Sequence, residues 1–359
     1  MSIGARSLAL ARAHVGRPAR APGAAVLALA GLGVLALAVV VAVAAGSVAV
    51  APGDTLGILL RALGLPVDRS WSPAAETIVL ELRLPRVLTA IMVGGGLAVA
   101  GAAFQGLLRN PLADPYVLGT ASGAALGAAI AVLIPFRAVF LDLGLLHVLS
   151  FAGALAAVAV VYRLGRGGGP FAPLTGLLLT GYAVGSLLAA GLAMTMFLAG
   201  SNLRQIFAFL LGGMEGASWL RLAFAAPLIA GGSIAIVARA RVLNGLLLGE
   251  EAAAHLGVDV RRERAILLAL ASLVTAAAVA VAGLVGFVGL VAPHLVRLVV
   301  GPDARRVLPL AAILGAILLV LADLGARLLG EIPVGVVTAV VGAPFFLVLL
   351  RGTRSAYEL

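Results

Sequence analysis

Long stretches of Ala, Leu, Val and Gly alternate with short polar segments along most of the chain. A helix needs about 20 apolar residues to cross a lipid bilayer. The pattern therefore predicts ten membrane-spanning helices, at residues 24–47, 85–107, 115–134, 143–162, 174–198, 217–238, 265–282, 284–300, 307–326 and 333–350. We expect an all-α polytopic membrane protein with a transmembrane domain at 24–351, an N-terminal tail at 1–23 and a C-terminal tail at 352–359.

The apolar stretch 265–300 is the hardest to divide. As one helix it would be about 54 Å long, far beyond the ~30 Å hydrocarbon core of a bilayer, so the chain must turn back near Ala282 and Gly283. VAGAAFQGLLRNP from Val99 and VAGLVGFVGLVAP from Val281 begin alike, about half the chain apart. This similarity predicts a duplicated unit of five helices, which would give two inverted five-helix repeats.

Glycine recurs at four-residue intervals inside some of these stretches, as at Gly119, Gly123 and Gly127. Small residues on one helical face let membrane helices approach closely. We expect most of these glycines to serve helix packing.

Composition supports a membrane protein and removes several chemistries. The chain is 62% hydrophobic and 11% charged, against about 25% charged residues in soluble domains. It has no Cys, which excludes thiolate chemistry, and all 25 basic residues are Arg. Because a nucleotide-binding P-loop needs a Lys, this chain does not carry that ATP site itself.

The arginines also predict orientation. With a cytoplasmic N-terminus, eight of the 25 would lie outside: Arg61, Arg69, Arg83, Arg86, Arg137, Arg204, Arg221 and Arg327. The excess inside agrees with the positive-inside rule, so both termini and the polar segment 239–264 should be cytoplasmic. Loop topology also accounts for the pI near 11.4, and no nucleic-acid partner is expected.

Few residues offer chemistry within the spans. The four histidines lie in separate segments, and neither an H-E-x-x-H nor a G-x-S-x-G motif occurs. The one clearly buried carboxylate is Asp323, which lies four residues before Arg327 and on the same helical face. A neutralising ion pair is the simpler interpretation, and a proton relay in an ion-coupled carrier is the alternative.

The segment LGEEAAAHLGV, from Leu248 to Val258, is charged and too short to span a bilayer. Leu248, Ala252 and Leu256 recur every four residues, which predicts a short helix with one apolar stripe. Two carboxylates, on Glu250 and Glu251, lie in its first turn, and Gly257 is a natural stop. A cytoplasmic helix of this kind suits docking to a soluble partner, with a solvated connector as the alternative.

Several long motifs, in order, resemble the FecCD-type permeases of type II ABC importers. They are ELRLPRVLTAIMVGGGLAVAGAAFQGLLRNPLADPYVLGTASGAALG, LGEEAAAHLGV, GFVGLVAPHLVR, LADLGARL and EIPVGVVTAVVGAPFFLVLL. The resemblance covers roughly residues 24–351 and implies a permease domain of ten helices. It also implies a multi-pass protein of a bacterial cell membrane that imports iron-siderophore, haem or cobalamin.

The resemblance further implies the partners. A second permease subunit would complete a homo- or heterodimer around the translocation path. Two ABC ATPase subunits would dock on the cytoplasmic face, and an extracytoplasmic binding protein would deliver the substrate. No cofactor or metal is expected on this chain, because ATP and Mg²⁺ would be used by the ATPase partner.

The resemblance also implies roles for individual residues. Coupling helices at about 243–258 would fit the ATPase through Leu248, Gly249, Glu250, Glu251, Ala252, His255, Leu256 and Gly257. Binding-protein docking would fall to Arg83, Arg86 and Arg327, and the cytoplasmic gate to Asn110, Leu112, Leu174 and Thr175. At the second gate segment the chain departs from the Ser/Thr-rich pattern of the cobalamin relative, which makes the positions Leu174 and Thr175 approximate.

Ferric siderophore is the expected substrate, with haem and cobalamin as the alternatives. The rival class is a secondary transporter driven by an ion gradient, and an intramembrane enzyme is a third. No catalytic residue is predicted.

Overall fold

A computed structural model describes residues 23–46, 48–135, 139–140, 143–165 and 174–357, and side chains within this range except at a few positions. Seven of its helices are long and apolar enough to cross a membrane, and three shorter apolar helices accompany them. These ten coincide with the ten predicted stretches. The prediction of an all-α polytopic membrane protein is thus confirmed.

The ten apolar helices are α1 (Ala24–Ala44), α4 (Leu84–Leu107), α5 (Thr120–Leu133), α6 (Leu145–Gly165), α7 (Leu174–Leu198), α9 (Trp219–Ala238), α12 (Val260–Ala282), α13 (Val288–Val300), α14 (Ala304–Leu328) and α15 (Val334–Tyr357). Within the described residues, a 3-10 turn at Gly200–Asn202 and five short α-helices lie between them: α2 (Pro52–Ala62), α3 (Pro73–Thr77), α8 (Leu203–Leu211), α10 (Ala240–Leu247) and α11 (Glu250–His255). A two-residue antiparallel pair, β1 (Val139–Phe140) with β2 (Leu143–Gly144), joins α5 to α6. We call the end that carries α10 and α11 the inner face, and the opposite end the outer face.

The second apolar helix is longer than predicted. It was expected to begin at residue 85, but helical structure runs without a break from Pro73 to Leu107. A π-helical turn, Ile78–Arg83, joins α3 to α4, and Leu84 N bonds to Val79 O five residues earlier. Because Pro85 has no N–H to donate, the wider turn before it keeps the helix continuous.

The core lies around α4, which is surrounded by α9, α12, α13 and α14. Nearly every residue of α4 from Val93 to Leu107 is buried. The helices α1 and α7 lie at the periphery of the bundle and are mostly exposed, with large apolar side chains such as Leu29 and Phe197 on their surfaces. In a bilayer such faces suit contact with lipid or with another membrane subunit.

Glycines allow the central helices to touch backbone to backbone. A methyl group on Gly101 of α4 would overlap the carbonyl oxygen of Gly289 in α13, and one on Gly94 would overlap that of Gly315 in α14. The predicted glycine repeat of α5 behaves likewise, because a methyl on Gly123 would overlap the carbonyl oxygen of Gly153. The packing role expected for these glycines is therefore confirmed.

The two halves of the chain have the same order of helices, and in each half the third apolar helix is much the shortest: α5 has 14 residues and α13 has 13. Five helices per unit reverse the direction of the second unit in a membrane, which agrees with inverted repeats. The VAG similarity marks different positions, since Gly101 lies inside α4 whereas Gly283 follows the end of α12 with φ 64°. The turn predicted at Ala282 and Gly283 is confirmed.

Candidate functional site

The polar segment after α9 folds as two short helices. α10 ends at Leu247 and α11 begins at Glu250, so Leu248 and Gly249 form the link between them. The sequence predicted a single helix from Leu248, but Gly249 has φ 116°, a backbone conformation that side chains disfavour and that interrupts a helix. Gly257 ends the segment with φ 82°, in agreement with the predicted stop.

The two most exposed large apolar side chains of this segment are Leu248, which is 71% exposed, and Leu256, which is 67% exposed. Between them, the polar side chains of Glu251 and His255 are exposed as well. Ala253 is fully buried and anchors α11 on the bundle. We call Leu248, Glu251, His255 and Leu256 the docking patch.

The carboxylates of α11 differ in their surroundings. Glu250 Oε1 lies 3.2 Å from Arg264 Nη1, so Glu250 holds α11 to the first turns of α12. Glu251 is exposed and forms no ion pair within the described part of the chain. Both lie in the first turn of α11, where the helix dipole favours negative charge, and Glu251 remains available to a cationic partner.

The loop from Leu108 to Gly119, which we call the gate loop, follows α4 at the inner face. Arg109 has φ 48°, an uncommon value for a residue with a side chain. The side-chain oxygen Oδ1 of Asn110 accepts a hydrogen bond of 2.9 Å from Leu112 N, which fixes the next turn. A cavity of about 260 Å³ separates this loop from α10 and is lined by Arg109, Asn110, Leu243 and Leu247 among others.

The far end of the gate loop is tied to the turn between α12 and α13. Tyr116 OH donates to Val285 O at 3.0 Å and accepts from Val285 N at 3.3 Å. Asp114 Oδ1 accepts from Tyr116 N at 2.8 Å. Burial raises the pKa of Asp114 to about 6, and this hydrogen bond opposes the rise. The loop is thus fixed at both ends around its predicted gate residues, Asn110 and Leu112.

The second predicted gate segment, Leu174 and Thr175, forms the start of α7. Residues 166–173 before it, and the side chains of Leu174 and Thr175, lie outside the described residues. Its relation to the gate loop stays a prediction.

Arg83, predicted to dock a binding protein, points into the protein. It is 6% exposed. Its Nη1 donates to Val43 O at 3.0 Å and to Ala44 O at 2.7 Å, and its Nη2 donates to Val48 O. These carbonyl oxygens lie at or just after the end of α1, where a cation offsets the helix dipole.

Arg86 and Arg327 are also engaged within the chain. Arg86 Nε donates to both carboxylate oxygens of Asp323, at 2.9 and 3.2 Å. Arg327 Nε lies 3.1 Å from the same carboxylate, which is 1% exposed, and its other nitrogens donate to Ala42 O and Ala45 O. The predicted Asp323–Arg327 pair is thus present with Arg86 as a further partner. Docking by these arginines stays a prediction.

Several contacts between distant parts of the chain escaped the sequence analysis. The Arg86–Asp323 pair joins residues 237 apart in the chain, and Asn244 of α10 bonds to Asp303 before α14. Periodicity along one helix cannot reveal such pairs. A polar Asn within α10 and an Asp four residues before the predicted span 307–326 were the available signals.

The described residues form ten apolar helices with α4 at their centre, and two short helices and a fixed loop lie at one face; this arrangement defines the chain as a polytopic membrane permease. It belongs to the FecCD transport family, which matches residues 34–352. The resemblance to FecCD-type permeases of type II ABC importers is therefore confirmed.

The chain is 46% identical over 291 residues to the cobalamin import system permease protein BtuC of Halobacterium salinarum, covering 81% of this chain and 78% of that protein. It is 41% identical over 302 residues to the hemin transport system permease protein HmuU of Yersinia pestis, covering 82% and 90%. A solved ABC transporter of metal-chelate type, in an inward-facing conformation, matches with a TM-score of 0.78 at 29% identity, covering 92% of this chain and 99% of that one.

Proposed function

We propose that this chain is the permease subunit of an ATP-driven importer for a bulky metal chelate. In the complete importer it pairs with a second permease subunit, two ABC ATPase subunits and an extracytoplasmic binding protein. The inner face, with both termini, lies in the cytoplasm, and ATP and Mg²⁺ act on the ATPase subunits.

The docking patch is the observation that carries this proposal. Leu248 and Leu256 expose apolar side chains on a segment too short to enter a membrane. Exposed apolar groups rimmed by charge are typical of protein interaction sites. An ATPase cleft that accepts Leu248 and Leu256 and offers a cation to Glu251 would satisfy three of the four side chains of the patch.

Movement would then pass from the docking patch to the gate loop without covalent chemistry. Residues of α10 and of the gate loop line the same cavity of about 260 Å³, so the two elements are neighbours at the inner face. ATP binding closes the ATPase pair, the coupling helices follow, and the gate around Asn110, Leu112, Leu174 and Thr175 changes the side that is open.

The substrate class follows from relatives. Ferric siderophore was expected first because the resemblance is to a family that mostly handles it, while the two relatives named above are permeases of a cobalamin import system and a hemin transport system. All three are large metal chelates, and cobalamin is favoured among the alternatives by the 46% identity. Uptake of cyanocobalamin, hemin and ferrichrome by the same reconstituted importer would distinguish them.

A charge reversal tests the docking patch. Glu250→Arg together with Glu251→Arg should abolish copurification with the ATPase while membrane insertion persists. Glu251→Arg alone leaves the Glu250–Arg264 pair intact and should weaken copurification by itself. The matched control reverses exposed acids of the outer face, Glu81→Arg and Glu331→Arg. Unchanged copurification of the double variant would contradict the proposal.

The rival class, a secondary transporter, is separated by uptake into vesicles. Our proposal requires ATP and a binding protein for uptake, whereas a proton gradient alone would drive the rival. The Asp323 carboxylate, already shared by two arginines, gives the rival little support.

A further inference from the structure

Asn244 of α10 forms two reciprocal hydrogen bonds with the start of α14. Its Nδ2 donates to Asp303 Oδ1 at 2.7 Å, and its Oδ1 accepts from Ala304 N at 2.7 Å. Asp303 itself caps α14 by accepting from Arg305 N at 3.0 Å. These hydrogen bonds and the neighbouring arginines lower the pKa of Asp303, so its carboxylate is charged at neutral pH. One amide is therefore held at both its donor and its acceptor by a single helix end.

The helix that Asn244 holds is joined firmly to α4. The two backbones touch at Gly94 and Gly315, where neither glycine has room for a methyl group. At the outer face the Arg86–Asp323 ion pair joins them again. Packed interiors move as discrete bodies rather than deforming continuously. We therefore treat α4 and α14 as one rigid unit, the α4–α14 unit.

This unit reaches both ends of the protein. α14 has 25 residues and is about 37 Å long, enough to cross the hydrocarbon core. The gate loop, with Asn110, follows directly after α4. A displacement given to the inner end of α14 is therefore shared by the gate loop.

We propose that Asn244 is the positioning residue that fastens the coupling helix α10 to the α4–α14 unit, so that movement of the docking patch opens or closes the gate. The inference rests on the proposed function. The buried side chain of Leu243 in α10 also lies against Gly106 of α4. Loss of the Asn244 bonds would remove the polar tie to the start of α14 and let α10 tilt into the adjacent cavity of about 260 Å³ without moving the gate loop.

A reciprocal exchange tests this role. Asn244→Asp places a carboxylate against the Asp303 carboxylate and breaks the contact by repulsion. The double variant Asn244→Asp, Asp303→Asn restores it with reversed polarity, because Asp is an acceptor for Ala304 N and Asn is also a favoured N-cap. Asp303→Asn alone keeps an acceptor for Asn244. The matched control is Arg306→Gln, which removes only the exposed partner of Asp303.

The assay uses the complete importer in proteoliposomes and measures ATP hydrolysis and uptake on the same vesicles, with whichever of cyanocobalamin, hemin and ferrichrome the unaltered complex transports. A hydrogen bond to a charged group corresponds to about 10-fold or more in an equilibrium constant. We expect Asn244→Asp to retain ATP hydrolysis and ATPase association within about twofold while uptake per ATP falls about 10-fold. The double variant, Asp303→Asn and Arg306→Gln should stay within about threefold of the unaltered complex.

A second measurement follows the gate without substrate. The chain has no native Cys, so Pro111→Cys gives one reactive site in the gate loop. Its labelling by a water-soluble thiol reagent should change on ATP addition in the unaltered background and stay constant with Asn244→Asp.

Normal uptake per ATP with Asn244→Asp, or no recovery in the double variant, would overturn this inference alone. Loss of ATPase association with Asn244→Asp would also overturn it, because the residue would then serve docking or folding. If the unaltered complex does not hydrolyse ATP, the proposed function fails and this inference with it.

Discussion

Asp323 offers the sharpest test of what stabilises the outer face. Its carboxylate is 1% exposed and serves two guanidinium groups, that of Arg86 at 2.9 Å and that of Arg327 at 3.1 Å. Asp323→Ala would leave the buried Arg327 and the largely buried Arg86 without their shared anion. The structure therefore predicts a loss of stability far above that of an ordinary polar substitution.

The magnitude follows from the burial of the pair. Removing one partner of a buried ion pair costs about 3–5 kcal/mol, because the remaining charge keeps its desolvation penalty. Arg327 retains its hydrogen bonds to Ala42 O and Ala45 O, so the cost falls mainly on Arg86. Arg86→Met with Asp323→Leu removes both charges of that pair and should regain roughly 2 kcal/mol relative to Asp323→Ala.

Equilibrium unfolding in SDS, followed by tryptophan fluorescence, measures this difference. Both tryptophans report on residues 71–80 at the outer face, since Trp71 Nε1 donates to Glu76 Oε2 and Trp219 Nε1 donates to Leu80 O. The control is Arg69→Gln, which breaks the exposed Arg69–Glu76 pair at the same face. Its expected cost is below about 1 kcal/mol.

Two results would refute the reasoning. One is a cost for Asp323→Ala no larger than that of Arg69→Gln, which would mean that the carboxylate is well solvated. The other is a double variant less stable than Asp323→Ala, which would mean that side-chain shape rather than charge decides the stability.

Three further predictions concern the bundle and the gate loop. Gly101→Val should prevent folding or lower the melting temperature strongly, because the side chain would collide with the Gly289 backbone, whereas Gly33→Ala meets open space; equal melting temperatures would contradict this. Because burial raises the Asp114 pKa to about 6 from the ordinary 3.8, the folded protein binds more protons than the unfolded chain, and stability should fall as pH rises through 6. Asp114→Asn should remove this pH dependence of the unfolding free energy. The change should be below about 3 kcal/mol, because Asp114 is only half-buried and water screens it, and an unchanged pH profile would refute the prediction. Tyr116→Phe should cost about 1–3 kcal/mol by leaving Val285 O without its donor, and should speed hydrogen exchange in the gate loop; unchanged exchange would show that the loop is fixed elsewhere.

The ten helices were predictable because hydropathy alone dictates which stretches enter a membrane. The turn at Gly283 was predictable from length, since no bilayer accommodates residues 265–300 as one helix. A short helix was predicted within the polar segment 248–257, but the break at Gly249 was missed, because a glycine in the sequence does not reveal which φ it adopts.

The environment of the outer arginines could not be predicted. The sequence showed that Arg327 faces Asp323 one turn away, but Arg83 and Arg86 looked free. Their partners come from α1 and α14, and such contacts depend on the tertiary arrangement rather than on local pattern.

The π-helical turn at Ile78–Arg83 sets how far α3 and Trp71 are rotated about the helix axis relative to α4. An α-helix advances about 100° per residue, and a π-turn holds one residue more than an α-turn. Deleting one residue within this turn would therefore rotate α3 and Trp71 about the helix axis by about 100° relative to α4. The helices after Leu84 would keep their positions. The one extra residue of the π-helical turn therefore decides which direction α3 and Trp71 face around the helix axis.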